Sequence, residues 1–164
     1  MKRAGWVCAV MLLCAVLSPA ADAQQLVYVV RHGEKLDESK DPPLSPAGEA
    51  RAARLARMLA VAGVKAIYTT PYQRTVQLAA PLARALNITP VVYPAADTPG
   101  LLRKITAHAA DEVVLVVGHS NTVPEILKGL GHAGAVKIEE TEFDNLFVLV
   151  PSAQGAPALV HLKY

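Results

Sequence analysis

Two continuous apolar runs constrain this chain more than any other feature. Leu26-Val27-Tyr28-Val29-Val30 and Val113-Val114-Leu115-Val116-Val117 show no alternation of apolar and polar residues. Each therefore reads as a strand buried on both faces, and such strands belong to parallel sheets covered by helices. Both runs stop abruptly, the first in Arg31-His32-Gly33-Glu34 and the second in Gly118-His119-Ser120-Asn121. Ligands in open α/β sheets sit beyond the carboxyl ends of the strands. One His at such a turn is more often a structural hydrogen-bonder than a catalyst. A second, at the same place relative to a second buried strand, makes coincidence hard to sustain.

The segments between these runs supply helices and edge strands. Ser45 as N-cap and Pro46 at the first position open a helix over residues 46–62, with Leu55, Met58, Leu59 and Ala62 as its apolar stripe and Gly63 as its stop. Arg51, Arg54 and Arg57 read as its solvated face. A short strand over residues 64–68 delivers the chain to Thr70-Pro71-Tyr72-Gln73-Arg74, where Thr70 and Gln73 form a capping box. Arg74 in the first turn opposes the helix dipole, so it is either a surface Arg salt-bridged to a neighbour or an anion ligand. Val91-Val92-Tyr93, after Pro90, is a weak edge strand. Thr98 and Pro99 open a helix over residues 99–108, with His108 suited to its C-terminal dipole. Thr122 and Glu125 make a further capping box, and residues 145–150 and 158–164 pair as a hairpin across Gln154-Gly155. The fold expected is α/β: a three-layer α/β/α sandwich, its central sheet mostly parallel with an antiparallel edge hairpin.

Residues 1–23 have the order of a secretory signal peptide: Met1-Lys2-Arg3, an apolar run from Gly5 to Leu17, and the small residues of Ala21-Asp22-Ala23. The run is shorter than the roughly 20 residues of a membrane span. Cleavage after Ala23 would leave residues 24–164 as one soluble domain, secreted or periplasmic, with no stable membrane anchor. Cys8 and Cys14, the only cysteines, both fall in the leader, so the domain would have no disulfide. The formal net charge of the whole sequence is only +2, which does not imply nucleic-acid binding. Any positive potential must be local.

Four motifs in order, Arg31-His32-Gly33, Leu44-Ser45-Pro46-Ala47-Gly48, Thr69-Thr70-Pro71 through to Arg74, and Gly118-His119 after a buried strand, resemble the histidine phosphatase superfamily, the phosphoglycerate-mutase-like proteins. The resemblance implies that His32 is a nucleophile that becomes phosphorylated, and that Arg31, Arg74 and His119 form a positive pocket around the phosphoryl group. Elementary chemistry agrees. Guanidinium forks and helix N-termini suit the charge on a phosphoryl group in transfer, and an imidazole is nucleophilic only when neutral. Two flanking Arg would repel a dication, so a metal site is disfavoured and no cofactor is expected.

The activity implied is that of a metal-independent phosphomonoesterase acting on a small phosphorylated substrate. A phosphotransferase or mutase, and a phosphate-binding protein without turnover, are the alternatives. Between Arg74 and the Val113 strand there is no insertion to form a lid, so the chain resembles the compact phosphatases of the superfamily, including phosphohistidine phosphatases. An acid must protonate the leaving oxygen, and Glu34, Asp97 and Asp144 lie in loops that could reach the site. Asn121 stands where some relatives carry an acidic residue, and is a candidate substrate contact.

Overall fold

The computed structural model describes residues 26–109, 111–152 and 155–164. The expected leader, with Cys8, Cys14 and the cleavage point at Ala23, lies outside the described residues, as does Gln154 of the hairpin loop. Six strands and four helices follow in the order β1 (Val27–Arg31), α1 (Pro46–Leu59), β2 (Val64–Thr69), α2 (Gln73–Leu86), β3 (Val91–Val92), α3 (Thr98–Thr106), β4 (Val113–Gly118), α4 (Thr122–Gly129), β5 (Asn145–Val150) and β6 (Ala158–Lys163). They form one sheet of order β3-β2-β4-β1-β5-β6. β3, β2, β4 and β1 run parallel, whereas β5 and β6 add an antiparallel edge. The two apolar runs are therefore neighbours at the centre of the sheet, as their double-sided burial required.

Alternate residues of the strands feed two cores. Val30, Ile67, Leu115 and Val117 pack with Leu55 and Leu59 of α1 and Leu78 and Leu82 of α2. Val29, Val114, Val116 and Phe147 pack on the opposite face with Leu101 and Ile105 of α3 and Val123, Ile126 and Leu127 of α4. Each fully buried aliphatic side chain contributes about 1.5–3 kcal/mol, and the result is the three-layer sandwich. Among the described residues, no helix is long and apolar enough to cross a membrane.

Several helix starts differ from the sequence expectation, each because a capping side chain is used elsewhere. Ser45 caps α1 as expected, accepting from Gly48 N at 3.2 Å. α1 ends at Leu59 rather than Ala62, and its buried stripe is Gly48, Ala52, Leu55 and Leu59, leaving Met58 40% exposed. Arg51 does not belong to a solvated face: its Nε and Nη2 bind the two Glu34 carboxylate oxygens at 2.9 and 2.6 Å. α2 begins at Gln73, not Pro71, because the Thr70 hydroxyl turns toward His119 and a carboxylate from another loop, Asp41 Oδ1, receives the Gln73 amide at 2.9 Å. α3 is capped by Asp97, one residue before the expected Thr98, through a 2.8 Å bond from Gly100 N. The helix ends at Thr106, and His108 beyond it joins Tyr68 OH at 2.7 Å to Glu112 at 2.5 Å. Thr122 makes no capping box; its hydroxyl accepts the His119 amide at 2.9 Å.

Candidate active site

The register of β1 on β4 ends with Arg31 opposite Gly118, so the next residue of each strand is a His. His32 N donates to Gly118 O at 3.0 Å, and the two rings stand 5.2 Å apart in an edge arrangement. Both side chains are buried. The turn after β1 is held from the other side by α1: Ser45 N donates to Glu34 O at 2.9 Å. The first turn of the helix comes so close that a Cβ on Gly48 would lie 2.5 Å from the Glu34 carbonyl oxygen. Gly48 is thus required by close approach, which gives the Leu44–Gly48 motif its physical meaning. Across the sheet, Gly118 plays a similar part: a Cβ there would lie 2.9 Å from Thr122 Oγ1.

Donor and acceptor chemistry fixes both tautomers. His32 Nδ1 lies 2.8 Å from Gly33 O, and a carbonyl only accepts, so Nδ1 carries the proton and Nε2 keeps its lone pair. His119 Nε2 lies 3.1 Å from Thr70 Oγ1, itself 2.8 Å from Thr75 Oγ1. The Thr75 hydroxyl faces two carbonyls, Tyr72 O at 2.8 Å and Thr70 O at 3.0 Å, and must give its one proton to them. Thr70 therefore donates to Thr75, and His119 Nε2–H donates to Thr70. Burial pushes the His32 imidazole down to about 3, with His119, Arg74 and Arg31 adding to the effect. Burial, then the charges of Arg74 and Arg31, brings His119 down to about 4. Both rings are neutral at physiological pH, as a nitrogen nucleophile requires.

Arg31, His32, Arg74, His119, Ser120, Asn121, Tyr72, Lys35 and Glu140 are among the residues lining a cleft of about 430 Å³ at this carboxyl edge, a size suited to a small molecule. Arg74 lines the cleft and stacks 4.5 Å over Tyr72, while its Nη1 keeps a long 3.8 Å pair with Asp41. Arg31 is held more tightly. Its Nη1 donates to the carbonyls of Glu139, Glu140 and Glu142 at 2.8, 3.0 and 3.2 Å, and its guanidinium lies 4.3 Å over Phe143. Among the described residues, the Nε atoms of Arg31 and Arg74 are both buried without a hydrogen-bond partner, a state that an oxyanion between them would relieve. Asn121 lines the cleft at the N-cap position of α4, where its side chain makes no capping bond.

The three loop carboxylates named from sequence are all committed to protein partners. Glu34 forms the bidentate pair with Arg51, which holds its carboxyl below the usual range. Asp97 caps α3, and Asp144 pairs with Lys163 at 2.8 Å. The glutamate in the cleft wall is Glu140, whose Oε2 meets Arg31 Nη2 and whose Oε1 meets Ser120 Oγ, each at 2.9 Å. Sequence reading missed it because no local motif marks it. The one available signal was the acidic run Glu139-Glu140-Thr141-Glu142 in a chain whose site is cationic. Among the described residues, no group of three or more His, Cys, Asp or Glu side chains is arranged to hold a metal ion.

The sequence model of the histidine phosphatase superfamily (branch 1) matches residues 27–96. No curated protein matches the chain. Solved structures do. The chain is similar to the protein histidine phosphatase SixA complexed with tungstate, at 18% identity and a TM-score of 0.65, covering 84% of this chain and 96% of that one. It is similar to a mycobacterial glucosyl-3-phosphoglycerate phosphatase at 12% identity and a TM-score of 0.66, covering 85% and 97%. It is also similar to a phosphoserine phosphatase from Entamoeba histolytica in complex with 3-phosphoglyceric acid, at 14% identity and a TM-score of 0.59, covering 86% and 98%. At these identities the structures speak for the shared fold. The profile match covers the Arg31-His32-Gly33 and Arg74 motifs, and the strand register brings His119 beside His32: residues 27–96 match the histidine phosphatase superfamily (branch 1), and the chain as a whole shares the fold of the solved phosphatases.

Proposed function

We propose that this protein is a phosphomonoesterase that works through a phosphohistidine on His32, without a metal or cofactor, on small phosphorylated substrates. The observation that carries this reading is the pairing of two buried neutral imidazoles with two inward guanidinium groups at the carboxyl edge of β1 and β4. The His32 Nε2 lone pair attacks phosphorus, and the bond from phosphorus to the leaving oxygen breaks. Water then attacks the phosphorus of phospho-His32, and the P–N electron pair returns to Nε2. Splitting one displacement into two lowers each barrier. Arg31, Arg74 and the α4 N-terminus hold the equatorial oxygens, with His119 beside them and Asn121 as a further contact. A tetrahedral oxyanion, tungstate, is part of the SixA complex that this fold resembles.

Hydrolysis is favoured over transfer by what covers the cleft. Among the described residues, only β3, α3 and their loops lie between α2 and β4, so that stretch carries no long insertion to shut water out. The leader-like residues 1–23 support export, to the periplasm or beyond. The test is hydrolysis of an aryl phosphate in EDTA, with acid-labile, base-stable phosphate trapped on the protein and both lost in His32→Ala. Turnover by His32→Ala at the wild-type rate would end the reading, and activity abolished by EDTA and restored by zinc would replace it with a metal hydrolase.

A further inference from the structure

We propose that Glu140 is the acid–base carboxylate of this site, taking a proton from the water that attacks phospho-His32 and giving that proton to the leaving oxygen of the next substrate. The inference rests on the phosphohistidine reading. An alkyl leaving group needs a proton, and the attacking water must lose one. The ring protons of the two His are committed, His32 Nδ1–H to Gly33 O and His119 Nε2–H to Thr70. Glu34, Asp97 and Asp144 are committed as well. Asp41 accepts from the α2 amide at Gln73.

Glu140 is placed differently. Its side chain is 82% exposed while its partner Arg31 is 3% exposed, so the carboxylate sits on the solvent side of the guanidinium. In the proposed cycle an ester's alcohol leaves to solvent and water enters from it. Its backbone is not loose, because Arg31 Nη1 grips the carbonyls on both sides of it and Phe143 supports the guanidinium from below. A carboxylate held by two hydrogen bonds on an anchored loop is a positioned one.

The electrostatics suit a group that changes role during the cycle. In the substrate-free protein the Ser120 hydroxyl, then the Arg31 charge, hold the Glu140 carboxyl below its ordinary range. The ionised form is the one that can accept a proton from water. When a phosphoryl dianion binds Arg31 through its unpartnered Nε, the guanidinium charge is shared and the carboxylate gains an anionic neighbour, and both changes raise its proton affinity. Charges balance through the turnover. Phospho-His32, water and the Glu140 carboxylate give neutral His32, hydrogen phosphate dianion and protonated Glu140. A phosphomonoester dianion, neutral His32 and protonated Glu140 then give the alcohol, phospho-His32 and the carboxylate again.

Glu140→Gln keeps the shape and the hydrogen bond to Arg31 but cannot carry the proton. With an aryl phosphate, whose leaving group needs no acid, the variant should release one rapid equivalent of phenolate and then turn over roughly 10²–10³-fold more slowly than wild type. Phospho-His32 should accumulate and be trapped by rapid quench. With an alkyl phosphate the rapid equivalent should also disappear. Steady-state rates and phosphoenzyme levels equal to wild type would overturn the proposal. So would inorganic phosphate binding weakened tenfold with no accumulation, since that pattern assigns Glu140 to holding Arg31. If neither wild type nor variant forms acid-labile phosphate, the phosphohistidine reading itself fails, and the Glu140 proposal with it.

Discussion

The backbone amide of His32 donates to the carbonyl of Gly118 at 3.0 Å, so the turn that carries one imidazole is hydrogen-bonded to the residue just before the other. This bond continues the ladder of β1 on β4 one step past Arg31 and Gly118. The sheet thus sets the two His side by side, and their ring centroids stand 5.2 Å apart. What must be held in addition is the turn itself, and α1 does that through Gly48.

Gly48→Ala should damage catalysis from outside the cleft. Its Cβ would lie 2.5 Å from Glu34 O and 3.1 Å from Glu34 N, both backbone atoms that cannot move without moving the His32 turn. Overpacking of this kind costs about 1–3 kcal/mol, and a displacement of 1 Å at a reacting group costs roughly 10²-fold in rate. Thermal unfolding and kcat on an aryl phosphate measure the two effects. Wild-type values for both would mean that the helix and the turn are not coupled as described.

The pH dependence follows from the sign of two shifts. His32 lies at about 3 and His119 at about 4 in the folded protein, against 6.5 when solvated. Both should stay neutral in an NMR titration from pH 8 to pH 5, and kcat/KM should show no acidic limb from either ring in that range. Stability has the opposite sensitivity. Below pH 6.5 the unfolded chain binds protons at both positions and the folded protein does not. Stability should therefore fall with falling pH from about 6.5 to about 4, by up to about 1.4 kcal/mol per pH unit for each His. Replacing both by Asn should flatten that slope, and an unchanged slope would assign acid lability elsewhere.

Thr70→Val tests the hydroxyl chain. Removing the hydroxyl leaves the buried Nε2–H of His119 without its acceptor and frees the Thr75 hydroxyl from its donor. An unsatisfied buried donor costs about 1–3 kcal/mol, so the ring should reorient or change tautomer. The ¹⁵N shifts of His119 report that directly, with kcat/KM falling roughly tenfold. Thr70→Ser should restore both. A Val variant with the wild-type ¹⁵N pattern would show that the tautomer is held by something else.

The sheet was legible in the sequence because its two central strands carry an unbroken signal: Val29, Val30, Val116 and Val117 face core on both sides and cannot be anything but buried. His32 and His119 were legible for the same reason, since position at a strand end is a local property. Thr70, Arg51 and Glu140 were not. Thr70 looks like a helix cap because its competing partner, His119, is 49 residues away. Arg51 looks solvated because its partner Glu34 comes from another element, and Glu140 looks like surface charge because Arg31 lies 109 residues back. Polar side chains are assigned by tertiary partners, which periodicity cannot see.

Arg74 offers the sharpest separation of a structural from a functional cation. As a surface residue paired with Asp41 at 3.8 Å, it would contribute about 0–1 kcal/mol to stability, and its loss would leave the chemistry intact. The geometry indicates more, because Arg74 stacks on Tyr72, which itself stands edge-on to His119 at 5.4 Å, and its charge lowers the proton affinity of both His rings. Arg74→Ala should therefore do two things together. Phosphoryl oxygens lose a guanidinium in the ground state and in the transition state, so KM should rise and kcat should fall. The imidazoles lose a repelling charge, so His32 and His119 should titrate at higher pH than in wild type. Arg74→Lys, which keeps the charge but lacks the planar fork, should recover the His titration more fully than it recovers kcat/KM. If the Ala variant moves neither the kinetics nor the titration, Arg74 is only a surface partner of Asp41.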